Sequence, residues 1–245
     1  MLSFLFLAFA VIHLAIWIYG WVAWSRNDRP RALFLILFSG TLLFFDNLRI
    51  GSGRFIGQGE LLEAMTVAAF AWHWTMLPLL IIAAGIIARR AGLKFAQSKW
   101  AIGAFCVVAS ALIALDMPKI FELELYPACV ADTVRYTSNV SEAQLCSPTD
   151  QVVSNGAGAA FVAIAVNVIV LVVGIALWVR RKWPWMALGA GAMFVAAGAF
   201  AGSYYSLPIA NFGEILITLG LISSALRFRE APAPAADPAT APQSA

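Results

Sequence analysis

MLSFLFLAFAVIHLAIWIYGWVAW, residues 1–24, decides the fold class, because no Asp, Glu, Lys or Arg interrupts it. A helix of about 20 mostly apolar residues crosses a hydrocarbon core of about 30 Å. The stretch has neither a basic leader nor a small-residue cleavage site, so it reads as a retained first span rather than a signal peptide. Working outward, six further stretches qualify, at about 31–50, 64–88, 100–117, 158–179, 185–205 and 208–226. Hydrophobic residues make up 62% of the chain and charged residues only 12%. A soluble domain is about a quarter charged, and a soluble fold of this length has nowhere to hide so much apolar surface. The predicted fold class is therefore an all-α integral membrane bundle of seven spans over residues 1–229. A Pro/Ala-rich tail follows at 230–245, with no periodicity and little to bury.

The basic residues divide unevenly between the two ends of such a bundle. One end receives Arg26, Arg29, Arg31, Arg89, Arg90, Lys94, Lys99, Arg180, Arg181, Lys182, Arg227 and Arg229. The other receives only Arg49, Arg54, Lys119 and Arg135. The crowded end is predicted to be cytoplasmic, which places the N-terminus outside and the C-terminus inside. Trp21, Trp24, Trp100, Trp178, Trp183 and Trp185 fall at that same edge, as an interfacial aromatic belt does. The expected location is a plasma membrane of the bacterial inner-membrane kind, with lipid as the surrounding partner. A net charge of +3 and the absence of any basic block interleaved with aromatics argue against nucleic acid.

The largest extramembrane piece is the outer loop at about 118–156, which is net acidic and holds Cys129 and Cys146. On an oxidising side of the membrane these two are expected to pair. A shift of about 154 residues lays Gly20, Trp24, Arg26 and Pro30 on Gly174, Trp178, Arg180 and Pro184, and Gly59, Glu60 and Leu62 on Gly213, Glu214 and Leu216. That overlay suggests a 3+1+3 internal duplication, a device known from transporters. The plan resembles the architecture of sugar-efflux and PQ-loop transporters, and more loosely that of the rhodopsins. The resemblance is one of architecture and transfers no residue. The last span has no lysine, which excludes a retinal Schiff base of the rhodopsin type.

Ionisable groups inside a membrane are expensive and mark function by default. The second span cannot cross without enclosing Asp46, Asn47 and Arg49. Asp46 is then either a catalytic or proton-carrying carboxylate, or half of a structural pair with Arg49 at i, i+3. His73, within AWHWTMLP, is the second acid/base candidate. His13 lies at a similar depth in the first span, and two histidines at matched depth suit a haem iron or a single metal. Glu60 and Glu63 share a face at the start of the third span, and Asp116 closes the fourth. These three are the candidate divalent-metal ligands, against the simpler reading of Glu60 and Glu63 as solvated first-turn residues favoured by the helix dipole. Glu214 lies in the first third of the last span. The run RIGSGRFIGQGE, with Gly51, Gly53, Gly57 and Gly59, reads as a glycine loop in which Arg49 and Arg54 hold an anionic head group.

Three functions fit this pattern. The first is a membrane enzyme acting on an amphipathic or lipid-like small molecule, with Asp46 and His73 as acid and base and Arg49, Arg54, Asn47, Glu214 and His13 around the ligand. The second is a small-molecule transporter built on the duplication. The third is a non-catalytic assembly subunit docking through the Gly198/Gly202 face of the sixth span. The chain contains no P-loop, so it lacks the usual device for ATP-driven work.

Overall fold

The structure is a computed structural model and describes residues 1–154, 161–199 and 205–229. The Pro/Ala-rich tail, Gly202 and the end of the sixth predicted span lie outside the described residues.

Eight helices carry the described chain: α1 (Leu2–Arg26), α2 (Arg31–Ile56), α3 (Glu60–Met76), α4 (Leu79–Arg90), α5 (Ala101–Asp116), α6 (Phe161–Arg181), α7 (Trp185–Ala199) and α8 (Ser206–Arg227). α3 and α4 form one 31-residue apolar segment, and with it six segments among the described residues are long and apolar enough to cross a bilayer. The chain is an α-helical membrane protein. α7 is also apolar, and its 15 described residues rise only about 22 Å, short of a full span.

The α3–α4 segment breaks where chemistry requires it. Pro78 has no N–H to offer the Trp74 carbonyl, and its ring crowds that carbonyl. Leu80 and Ile81 instead donate to Leu77 and Pro78, at 3.1 and 3.0 Å. The Met76 carbonyl loses its helical partner, and the Ser39 hydroxyl of α2 donates to it at 2.7 Å. The kink is thereby locked to its neighbouring helix.

α2 is the central helix and packs against α1, α3, α4 and α8. Leu33, Ile36 and Leu37 of α2 meet Ile81 and Ile87 of α4, Leu177 of α6 and Leu221 of α8 in one apolar core. Lipid tails are as apolar as these side chains, so packing in a membrane depends on close approach. Glycine supplies it: a Cβ on Gly220 would stand 2.6 Å from the Trp185 carbonyl oxygen, and one on Gly174 2.6 Å from the Ala187 nitrogen.

The expected glycine loop is largely helix. α2 runs through Asp46, Arg49, Gly51 and Gly53 to Ile56. A Cβ on Gly51 would stand 2.8 Å from the Leu7 nitrogen and 2.9 Å from the Ser3 carbonyl oxygen of α1, and one on Gly53 would run into the Val134 carbonyl. These glycines let backbones touch; the turn itself uses Gly57 at φ 79° and Gly59 at φ 155°.

The loop between α5 and α6 is partly ordered as strands. β1 (Tyr126–Val130) and β2 (Thr133–Thr137) form an antiparallel hairpin, with Cys129 opposite Val134. β3 (Asn139–Val140) pairs with β4 (Val153–Ser154). Cys129 and Cys146 are joined in a disulfide, as their shared loop suggests. Asp132 at the hairpin tip anchors it to the bundle. Its Oδ1 accepts from the Leu2 N–H at 2.6 Å, and its Oδ2 pairs with the Met1 ammonium at 2.5 Å and with Arg54 at 2.7 Å. The Met1 ammonium, and then the Leu2 and Ser3 N–H groups, hold the Asp132 carboxyl well below the usual carboxylate range.

Candidate functional site

The hairpin end of the bundle contains a cavity of about 370 Å³, within the range of small-molecule sites. Asp46 and Arg49 of α2 enter it because the sequence extends α2 beyond its clean apolar stretch. One turn separates them, and the Arg49 guanidinium grips a single carboxylate oxygen: Nη2 donates to Asp46 Oδ1 at 2.6 Å and Nε at 3.2 Å. Arg49 Nη1 donates to the Thr66 hydroxyl of α3 at 3.0 Å, and that hydroxyl donates to the Leu62 carbonyl at 2.7 Å. The Arg49 side chain is 5% exposed and that of Asp46 28%, so both line the cavity and the carboxylate is the more open of the two. Asp46 is thus paired with Arg49 and also lines the cavity.

His73 lines the same cavity from α3, beside Phe70 and Trp74. It lies within electrostatic range of both Asp46 and Asp116. Asp116, buried at the end of α5, accepts from Lys119 Nζ at 2.6 Å across i, i+3. The hairpin closes the cavity with Arg135, Thr137, Ser138 and Asn139. Burial, and then the neighbouring Arg49 cation, pull the Arg135 guanidinium down to about 10. Its Nε is buried with no hydrogen-bond partner. Arg49, Lys119 and Arg135 face only Asp46 and Asp116 among the lining residues, so the cavity carries one positive charge in excess.

A second, deeper pocket of about 90 Å³ lies between α2, α4, α6 and α8. Leu42, His73 and Ala163 line both, so His73 stands at the neck between them. The deep pocket is walled by Ile36, Leu43, Leu77, Val166 and Ile217, with few polar groups. Two of those groups are Asn167, whose amide donates to the Ala190 carbonyl of α7 at 3.2 Å, and Glu214. Glu214 Oε2 is buried without a hydrogen-bond partner, and the carboxyl lies within electrostatic range of Asp46.

The structure thus gathers Asp46, Arg49, His73, Asp116 and Glu214 from the residues singled out in the sequence. It does not gather the others. Arg54 turns away from the cavity to Asp132 and lies over the Phe55 ring, so it does not stand beside Arg49 in the cavity; the arginine that lines it with Arg49 is Arg135. Asn47 is fully buried but donates to Leu43 of its own helix at 2.8 Å and lines neither pocket. His13 is buried on α1, its Nδ1 3.0 Å from the Phe9 carbonyl oxygen, and it too lines neither pocket. The two histidines thus share neither of these pockets. Glu60 and Glu63 are exposed at the start of α3, and no group of three or more His, Cys, Asp or Glu among the described residues is placed to hold a metal ion.

Sequence reasoning missed Lys119 and Arg135 as site residues. The signal was in the charge count, because both belong to the few cations at the acidic end. Locating them required the hairpin to fold back over α2 and α3. No family model, curated protein or solved structure matches the chain.

Proposed function

We propose that this protein binds an amphipathic small molecule with an anionic head and acts on it as a membrane enzyme. One observation carries the reading: a charged cavity with one positive charge in excess and an apolar pocket share His73, Leu42 and Ala163 as walls. The head group takes Arg49, Arg135 and Lys119, whose charge-assisted hydrogen bonds suit a phosphate or carboxylate. The tail runs down between α2, α4, α6 and α8. The junction of head and tail then falls beside His73 and the free oxygen of Asp46, which serve as the proton-transferring pair. In this reading α7 completes a seventh span, the hairpin end faces outward and the basic end faces the cytoplasm. Fusion reporters at Ser141 and after Arg229 test that orientation.

The test of function is mass spectrometry of small molecules retained in mild detergent by the wild type, Asp46→Asn and Arg135→Gln. A defined anionic amphiphile should accompany the wild type and be lost from Arg135→Gln. It should persist unprocessed in Asp46→Asn. Bulk lipid alone, identical in all three, refutes the reading.

A transporter is the second reading, and Glu214 favours it. A carboxyl oxygen buried without a partner in an apolar pocket is suited to carrying a proton. Under the shifted alignment α8 ends at Arg227, which overlays His73, while the α3–α4 segment runs on to Arg90, and this mismatch weakens the duplication on which transport rests. Proton-coupled uptake into proteoliposomes, abolished by Glu214→Gln, would decide for transport.

A further inference from the structure

The opposite end of the bundle holds a second arrangement that the outer cavity does not use. Arg180, Arg181, Lys182 and Arg227 surround a recess of about 410 Å³, with Trp183 and Phe228 as its apolar wall. Trp183 is fixed in place: its indole N–H donates to the Ser224 hydroxyl of α8 at 3.0 Å, and its ring packs edge-on against Phe228 at 6.2 Å. The Arg227 guanidinium lies 5.9 Å from the Trp183 ring centroid. No carboxylate among the described residues lines the recess. Asp28 is the sole acidic residue at this end among the described residues.

On its other side Trp183 borders an apolar groove of about 670 Å³ along α7 and α8. Trp185, Leu188, Leu216, Leu219 and Leu226 line that groove, and Trp185, Leu188 and Leu219 are each more than 40% exposed. Gly189 and Gly220 bring α7 and α8 together in its floor. A compact cluster of unopposed cations thus meets a long apolar furrow at one shared tryptophan.

We propose that this end binds one anionic phospholipid, its phosphate in the Arg180/Arg181/Lys182/Arg227 recess and its acyl chains along the α7–α8 groove. Guanidinium groups match phosphate oxygens with charge-assisted hydrogen bonds, and basic recesses between spans at an interface recognise anionic head groups. The charge selects the occupant. A zwitterionic lipid would bring a second cation to a cationic recess, and a second copy of this chain would bring four. The site is independent of the outer cavity.

The experiment is native mass spectrometry in mild detergent with equal amounts of phosphatidylglycerol and phosphatidylcholine of identical acyl chains. One phosphatidylglycerol should remain bound under activation that strips phosphatidylcholine. Arg180→Gln with Arg227→Gln should weaken its retention about 25-fold, at about fivefold for each basic residue lost. The charge-matched control Lys94→Gln with Lys99→Gln, both exposed and outside the lining of the recess, should leave it unchanged. Leu188→Ser with Leu219→Ser leaves the cations intact and should also reduce retention, which guards against misreading a folding defect. Equal retention of the two lipids, or wild-type retention in the arginine variant, overturns the proposal. So does glycerol phosphate binding as strongly as the lipid, because the site would then be one for a soluble anion.

Discussion

Breaking the Asp46–Arg49 pair tests the centre of the site directly. Arg49→Met removes the contacts to Asp46 at 2.6 and 3.2 Å and the contact to Thr66 at 3.0 Å, and leaves the Asp46 carboxylate without its cation. Severing a buried pair costs about 3–5 kcal/mol, mostly because the surviving charge is uncompensated. Asp46 is 28% exposed, so some solvation survives and the lower end of that range, about 3 kcal/mol, applies. Asp46→Asn keeps the shape but strands a 5%-exposed guanidinium, for about 2–3 kcal/mol. In the double variant neither charge remains. Its cost should therefore fall about 2 kcal/mol short of the sum of the two single costs. The assay is reversible unfolding in mixed micelles followed by circular dichroism, on all four proteins of the cycle. Additivity within about 0.5 kcal/mol would refute the reasoning, since it would mean that Asp46 and Arg49 do not compensate each other.

Four further outcomes follow from the geometry. Cys129→Ser with Cys146→Ser opens a loop with a sequence separation of 17 and should cost the folded hairpin about 3 kcal/mol of chain-entropy stabilisation, read as faster proteolysis within 118–154. Gly53→Ala drives a methyl group into the Val134 carbonyl and should destabilise by about 1–3 kcal/mol while lowering ligand retention, because β2 carries Arg135; Gly103→Ala, which meets nothing within 4 Å, should be neutral or stabilising. Asp132 is held below the ordinary carboxylate range, so the stabilisation it contributes is full above about pH 4 and is lost only as pH falls further, through the depressed value; limited proteolysis of the hairpin across acid pH checks this, and Asp132→Asn should loosen it even at pH 7. Arg135 is pulled down to about 10, so retention of an anionic ligand should fall as pH rises through that value, and Arg135→Lys should shift the fall to lower pH.

The apolar segments were legible because span length and lipid solvation leave few alternatives to a helix. The Asp46–Arg49 pair was legible for the same reason: an i, i+3 spacing inside an obligatory helix puts both side chains on one face. The disulfide followed from two cysteines sharing one loop. RIGSGRFI misled because glycine is a poor helix former and clusters of it normally signal a turn. Here backbone contacts with Ser3, Leu7 and Val134 outweigh that local preference, and no periodicity within α2 encodes them. Arg135 was hidden for a related reason. Its position in the cavity depends on where β2 folds over α2 and α3, and that follows from pairing between distant segments rather than from neighbours along the chain. His13 and His73 shared a depth, but depth along separate helices says nothing of rotation about their axes.

The continuation of α2 through Asp46 and Arg49 also bears on how the chain enters the bilayer. An isolated helix carrying an aspartate and an arginine inserts against a cost of about 2.5–3.5 kcal/mol for each when central, less toward the end. α1 carries no such charge, and its Ser3–Leu7 backbone fits against Gly51 while its Gly20 receives the Leu37 side chain. The first two helices can therefore leave the translocation machinery as a preassembled hairpin, the strongly apolar partner chaperoning the reluctant one. A bulky residue at Gly51 would then act before any folded site exists, lowering the yield of inserted protein rather than the activity of each molecule.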